Sequence, residues 1–283
     1  MAIQNYNIGK NYPQFSVAMC VYKNDKPEWF DEAVRSILNQ TNKPNEVVLV
    51  VDGPIPESLS KIIKRYELLE NFNVIRLPMN MGHGYARRIG LENVSNDLVA
   101  LMDADDISQP DRFEQQLKYL EENPNLDIIG GDIAEFMGEP SNIIGKRIVP
   151  QKDNEIKFYL KKRCPFNQVT VMFKKSSVVS AGGYLDWFCE EDYYLWIRMF
   201  LNNAVFGNTG TVLVNVRVGK DMYARRGGIK YFFSEAKLQK FMYKKGIISF
   251  MRAFINTAQR LALQVLMPNW CRALVFKYIA RSH

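Results

Sequence analysis

Residues 98–106 read Leu98-Val99-Ala100-Leu101-Met102-Asp103-Ala104-Asp105-Asp106, a short apolar run that ends abruptly in acid. The apolar part predicts a buried strand, and the same pattern recurs upstream. Residues 15–22 (FSVAMCVY) predict a first strand, Glu46–Val51 (EVVLVV) a second, and 73–77 a third. Helical patterns lie between them. Pro27 opens one whose Trp29, Phe30, Ala33, Val34, Ile37 and Leu38 share a face, and others cover about 57–70 and 84–94. Strand and helix alternating in this way specify an α/β chain with a mostly parallel central sheet flanked by helices. Right-handed crossovers then bring Tyr22, Asp52 and Asp103 to one edge, outside the carboxyl ends of the strands, where ligands bind in such sheets.

Beyond Pro110 the pattern becomes mixed. A helix is expected to about 123, a strand over 127–136, a hairpin near 143–149, a helix over 153–162 and a strand over 168–173. Gly182-Gly183 marks a turn, a helix covers 191–201, a strand covers 211–218, and the glycine-bearing stretch 219–228 reads as a mobile loop. The expected organisation is a catalytic unit over 1–228, with a nucleotide-binding half at about 15–136 and a smaller mixed acceptor half at about 137–228. A helical extension follows over 229–283.

The chain has 283 residues, 47% of them hydrophobic and 24% charged, which excludes a disordered or fibrous protein. Four scattered cysteines argue for reduced thiols, and with only His83 and His283 neither a histidine-rich zinc site nor a Ser-His-Asp triad is expected. The polar opening, Met1 to Gln14, does not read as a secretory signal, so the expected location is cytoplasmic. The net charge of +7 is concentrated at the end: residues 229–283 carry ten bases and one acid, Glu235. That segment is also amphipathic. Ile247, Met251, Phe254, Ile255, Ala258, Leu261, Ala262, Val265 and Leu266 form one helical face, with Arg252, Asn256, Gln259, Arg260 and Gln264 opposite. Pro268 is expected to break the helix before a second apolar segment around Trp270. Two main readings stand: an anchor lying on an anionic membrane surface, or a helical pair packed on the body with its bases in solvent. No nucleic-acid motif supports a third, and the oligomeric state is left open.

Three carboxylates within Asp103 to Asp106 repel one another unless a cation neutralises them, and loop oxygens suit Mn²⁺ or Mg²⁺ completed by phosphate and water. An acidic lead-in to the helix at Pro110 is the plainer alternative. A dinucleotide fingerprint is rejected: Gly82-His83-Gly84 follows a third strand, and Arg87 stands where the last glycine belongs.

Taken in order, FSVAMCVYKND, VVDG, NMGHGYARRIG, LMDADD and GGYLDWFCEEDYYLWIR resemble a family 2 glycosyltransferase of the GT-A fold over about 15–218. The resemblance implies transfer of a sugar, with inversion, from a nucleotide diphosphate donor, with uridine the expected base. The acceptor it implies is a glycan or lipid-linked glycan of a bacterial surface polysaccharide. By resemblance Tyr22 and Asp52 contact the base, Asn80, Gly82 and Arg87 pass beside the nucleotide, and Asp103 and Asp105 hold the metal. Glu191 and Asp192 match the family's acidic pair, with Asp192 the catalytic base. The late histidine that many relatives add to the metal has no counterpart here except His283. From the residues alone, Asp52 also suits the turn before Gly53-Pro54, Tyr22 suits core packing, Arg87 suits a solvated helix face, and Glu191-Asp192 suits an acidic helix start. Arg225 and Arg226, beside Gly227-Gly228, are expected either to close over the diphosphate or to form a solvated basic turn. Two further readings remain: a sugar-nucleotide-forming nucleotidyltransferase, and a non-catalytic protein keeping the fold. The first normally shows a glycine-rich basic loop after the first strand, where this chain has VYKNDKPEW.

Overall fold

The computed structural model describes residues 12–219 and 227–267. The expected roles of Arg225 and Arg226, and the helix break at Pro268, lie outside the described residues.

The parallel half follows the sequence reading. β1 (Phe15–Val21), β2 (Glu46–Val51), β3 (Phe72–Arg76) and β4 (Leu98–Met102) pair in the order β3-β2-β1-β4, all parallel. β2 is buried along its whole length because helices cover both sheet faces, which is why EVVLVV shows no alternation. Helices α1 (Pro27–Leu38), α2 (Glu57–Tyr66) and α3 (His83–Asn93) make the crossovers. Val21 pairs with Val51 and Met19 with Met102, so the three strands end near one edge.

After β5 (Ile107–Ser108) and α4 (Arg112–Glu122), the sheet continues through β6 (Ile128–Phe136), with β7 (Ile143–Arg147) paired on it. Next come α5 (Asp153–Leu160), β8 (Met172–Lys174), α6 (Lys175–Ser180), α7 (Glu191–Leu201) and β9 (Phe206–Arg217). β8 lies between β4 and β6 and is antiparallel to both, while β6 and β9 are parallel. The strand expected over 168–173 is instead a 3-10 turn, Gln168–Thr170, followed by three strand residues. Thr170 explains the turn, since its hydroxyl donates to the Asn167 carbonyl at 2.7 Å. β9 begins five residues earlier than expected. Gly210 sits inside the strand at φ +74°, in the stretch where the register against β6 shifts. The two-residue β5 was invisible in the sequence, and it pins the segment after Asp106 to Val214 and Asn215 of β9.

Two apolar cores lie on opposite sides of the sheet. One packs α1, α2 and α4 against β1 and β2, and the other packs α5, α6 and α7 around the fully buried Trp196. The basic C-terminal segment forms α8 (Ile229–Lys244) and α9 (Phe250–Leu261), then a π-helical turn, Ala262–Leu266. Leu238, Met242, Ile247 and Ile248 join the Trp196 core. α9 docks the other way round from an ordinary amphipathic helix. Asn256 is 2% exposed and Phe254 is 62% exposed. Asn256 Nδ2 donates to Lys161 O at 2.9 Å and to Gln239 Oε1 at 2.8 Å, and Arg260 Nη2 donates to Lys162 O at 2.9 Å. The polar face therefore caps the end of α5, which leaves the apolar face outside.

Candidate active site

The strand ends build a first cavity of about 380 Å³, lined among others by Tyr22, Asp25, Asp52, Asn80, His83 and Asp105. Tyr22 follows β1 and is held by a tight reciprocal turn. Its amide donates to Asp25 Oδ2 at 2.8 Å, and the Asp25 amide donates to the Tyr22 carbonyl at 3.1 Å. The ring is 37% exposed on the cavity wall, a position for stacking and not for core packing.

Asp52 follows β2 and organises the next loop. It accepts Asn80 Nδ2 at 2.8 Å, the Met81 amide at 2.7 Å and the Gly82 amide at 3.0 Å. A carboxylate has about four acceptor sites, so roughly one remains for a donor in the cavity. Gly53 is required by approach, because a Cβ there would lie 2.5 Å from the Asn80 nitrogen.

Arg87 is neither a solvated face nor a wall of this cavity. It is buried, its Nη2 pairs with Asp103 Oδ1, and its Nε donates to His83 Nε2 at 3.2 Å. His83 in turn meets Glu191, with Nδ1 2.7 Å from Oε1. Burial pushes the Glu191 carboxyl up, but the bond and charge of His83, with Arg87 behind it, hold it below the usual range.

A second cavity of about 530 Å³ shares Asp103 with the first and is lined on its far side by Asp192, Arg147, Lys162, Arg163 and Arg260. The three acids that open α7 point to three different partners. Glu191 faces His83. Glu190 accepts the Tyr231 hydroxyl at 2.8 Å and is pushed well up by burial, then by Glu235 and Asp192. Asp192 lines the second cavity, with Oδ1 accepting the Tyr193 amide at 2.6 Å and Oδ2 without a protein partner among the described residues. Burial first, and Glu191 second, raise Asp192 to about 6. Packing fixes this carboxylate: Trp196, one turn on, meets Phe166 at 5.6 Å, and the Tyr193 hydroxyl donates to Leu160 O.

The acidic loop is held from β9. The Arg217 amide donates to Asp106 Oδ1 at 2.8 Å and its Nε to the Asp105 carbonyl at 3.1 Å. Asp106 is buried and pushed well up by burial, then by Asp105 and Asp103. Asp25 rises to about 6 from burial, with Asp105 and Asp103 adding to it. This crowding of carboxylates suits a hard divalent cation. Among the described residues no three His, Cys, Asp or Glu side chains converge as a metal cluster. A cation at Asp103 and Asp105 would therefore take most of its ligands from diphosphate and water, which fits the habit of Mg²⁺ and Mn²⁺.

Sequence reasoning missed Asp25, His83, Tyr231 and Arg260. Asp25 lies four residues beyond the end of β1, in the same strand-end loop as Tyr22, and an acid so close to a strand end was the signal that could have found it. Arg260 carried a weaker signal, as a polar residue inside an apolar helix.

The protein-family model described as Glycosyl transferase family 2 matches residues 16–182. The chain belongs to that family. It is 36% identical over 268 residues to an uncharacterized glycosyltransferase of Haemophilus influenzae, covering 95% of this chain and all of the relative. It is also 36% identical over 271 residues to the Escherichia coli UDP-Gal:alpha-D-GlcNAc-diphosphoundecaprenol beta-1,3-galactosyltransferase, covering 95% of this chain and 97% of that one. Among solved structures it resembles S. aureus TarS in complex with UDP-GlcNAc, with a TM-score of 0.64 at 16% identity, over 88% of this chain and 72% of TarS. That likeness supports the GT-A fold of this family 2 glycosyltransferase. The family match ends before Glu191 and Asp192, so the placement of these two at the site rests on the geometry of α7.

Proposed function

We propose that the protein moves a sugar, with inversion, from a uridine diphosphate donor to a hydroxyl of a lipid-linked glycan during synthesis of a bacterial surface polysaccharide. One observation carries the reading: Asp192 keeps an unpartnered oxygen in a cavity that shares Asp103 with the strand-end cavity. The strand-end cavity takes the nucleotide, with Tyr22 against the base and Asp52 accepting an N–H from it. The acceptor enters the second cavity, where Asp192 takes the hydroxyl proton as the new glycosidic bond forms. A carboxylate of pKa about 6 is a stronger base than an ordinary aspartate and is still largely ionised at neutral pH. Asp103 and Asp105 would hold Mn²⁺ or Mg²⁺, which supplies neutralising charge for the departing diphosphate. Arg87 orients Asp103 for that role. The galactosyltransferase relative acts on a diphosphate-linked lipid acceptor, and this supports the acceptor class. Family membership sets aside the nucleotidyltransferase alternative.

The test is Asp192→Asn. UDP affinity should stay within about twofold while transfer falls by about 10²–10⁴-fold. Loss of UDP binding together with transfer would make Asp192 a binding or structural group, and full retention of transfer would move the base elsewhere.

The same reading places the enzyme on the cytoplasmic face of the cell membrane, bound peripherally through α8 and α9. No helix among the described residues is long and apolar enough to cross a bilayer. Phe250, Met251, Phe254, Ile255 and Leu266 are exposed, and the segment they belong to is strongly basic. An apolar strip among cations is the pattern of a helix lying on anionic lipid, where each base contributes about 1 kcal/mol.

A further inference from the structure

The second cavity holds four cations, and they fall into two classes. Arg147 donates to the carbonyls of Cys164 (2.6 Å) and Phe166 (3.3 Å), and Arg260 lies 2.5 Å from Glu235 Oε2. Both are structural. Lys162 and Arg163 line the same cavity, and neither forms an ion pair with a carboxylate among the described residues. Lys162 leans on the Phe158 ring at 4.7 Å, and Phe158 itself is exposed.

The common use of cations at this position is to satisfy the carbonyls at a helix C-terminus. Here that position is already filled, because Asn256 and Arg260 of α9 donate to the Lys161 and Lys162 carbonyls. The two basic side chains are left with no structural duty of this kind. They line the cavity that contains Asp192 at the point where the end of α5 meets α9, the helix whose apolar side faces outward.

We propose that Lys162 and Arg163 bind the phosphate groups of the acceptor. The inference rests on the functional reading above and deepens it. One cavity and the helix beside it thus offer a carboxylate base, two cations without a carboxylate partner among the described residues, and an apolar strip. An amphiphilic acceptor presents the matching three parts: a sugar hydroxyl, a diphosphate and a hydrocarbon chain. Lys162 and Arg163 supply charge-assisted hydrogen bonds to the diphosphate, with Arg163 able to grip two oxygens at once. Holding the phosphates fixes how far the terminal sugar reaches toward Asp192, so the pair also sets the length of acceptor that can react.

The test compares two acceptors with the full-length enzyme in detergent: a sugar on a prenyl diphosphate, and the same sugar as a neutral alkyl glycoside. For Lys162→Ala/Arg163→Ala, the preference for the diphosphate acceptor in kcat/KM should fall at least tenfold, with UDP affinity unchanged. Lys162→Arg/Arg163→Lys should restore most of it. Equal loss on both acceptors would make the pair structural, and an unaltered preference would refute the phosphate site. Loss of UDP affinity would assign the cations to the donor, and loss of binding to phosphatidylglycerol vesicles at unaltered preference would assign them to lipid headgroups. Binding of farnesyl diphosphate, followed by fluorescence, needs no turnover. It should weaken at least tenfold in the alanine pair even if the transferase reading fails.

Discussion

His83 Nδ1 and Glu191 Oε1 lie 2.7 Å apart, joining the first turn of α3, beside the strand-end cavity, to the first turn of α7, beside the second cavity. Through Arg87 the same chain of contacts reaches Asp103. The acid that faces His83 and the acid that lines the second cavity are thus consecutive residues on one helix.

Cutting that tie should affect rate more than stability. The His83 ring is half-exposed, so His83→Ala should cost only about 1 kcal/mol. Thermal denaturation should show Tm lowered by about 2–4 °C. Turnover should fall by about tenfold or more, because a loosened α7 misplaces Asp192. A variant with normal kcat and lowered Tm would show the contact to be purely structural.

The elevated Asp192 pKa sets both a pH limb and a stability effect. Activity should decline about tenfold per pH unit below about 6, as the base becomes protonated. For stability the sign is reversed. The folded state holds the proton more tightly than the unfolded chain, so ionised Asp192 destabilises the fold above pH 6. The penalty is relieved as pH falls from about 6 toward the ordinary value of 3.8. Asp192→Asn should accordingly raise Tm, or leave it unchanged, at pH 7 while abolishing turnover. The Tm difference between the two proteins should narrow from pH 7 to pH 5.

Metal dependence is checked by titration. Wild-type UDP affinity should rise at least tenfold with Mn²⁺, as measured by calorimetry, and turnover should stop on chelation. Asp105→Asn should lose the Mn²⁺ enhancement while keeping the metal-free affinity. An enzyme indifferent to chelation would overturn the assignment.

The reversed docking of α9 leads to two opposite substitutions. Phe254→Glu, on the exposed face, should leave Tm unchanged yet reduce flotation with phosphatidylglycerol vesicles at least tenfold. A change in oligomeric state on gel filtration instead would identify a second copy as what covers that face, and unaltered flotation with unaltered size would point to residues 268–283. Asn256→Leu, although it places an apolar side chain at a buried position, should destabilise by about 1–3 kcal/mol, because it strands the Lys161 carbonyl and Gln239.

The contrast between these substitutions shows where sequence reading runs out. Glu46–Val51 and Glu191–Leu201 were legible to the residue, since a doubly buried strand and an aromatic-rich helix with an acidic start have few alternatives. The convergence of Tyr22, Asp52 and Asp103 followed from topology. For α9 the period separated Met251, Phe254, Ile255 and Leu261 from Asn256 and Arg260. Ile247, grouped with the first set, precedes the helix and is buried. Periodicity does not say which face turns inward. The carbonyls of Lys161 and Lys162, just beyond α5, decided that, and they lie 95 and 98 positions from the side chains that meet them. Likewise the partners of Glu190, Glu191 and Asp192 could not be separated in the string EED. Each depends on which element arrives opposite it: α3, α8, or the acceptor cavity.

Asp103 is the one acid of the DADD loop besides Asp106 that reaches beyond the strand-end cavity. Every other residue lining that cavity comes from positions 20–105, whereas the opposite wall of the acceptor cavity is assembled from positions 133–264. On the proposed reading, recognition of donor and acceptor is segregated along the polypeptide, with Asp103 shared between the two cavities. A chimera joined just beyond Asp106 should then keep its nucleotide affinity while taking the glycan target of whichever relative supplies the later portion.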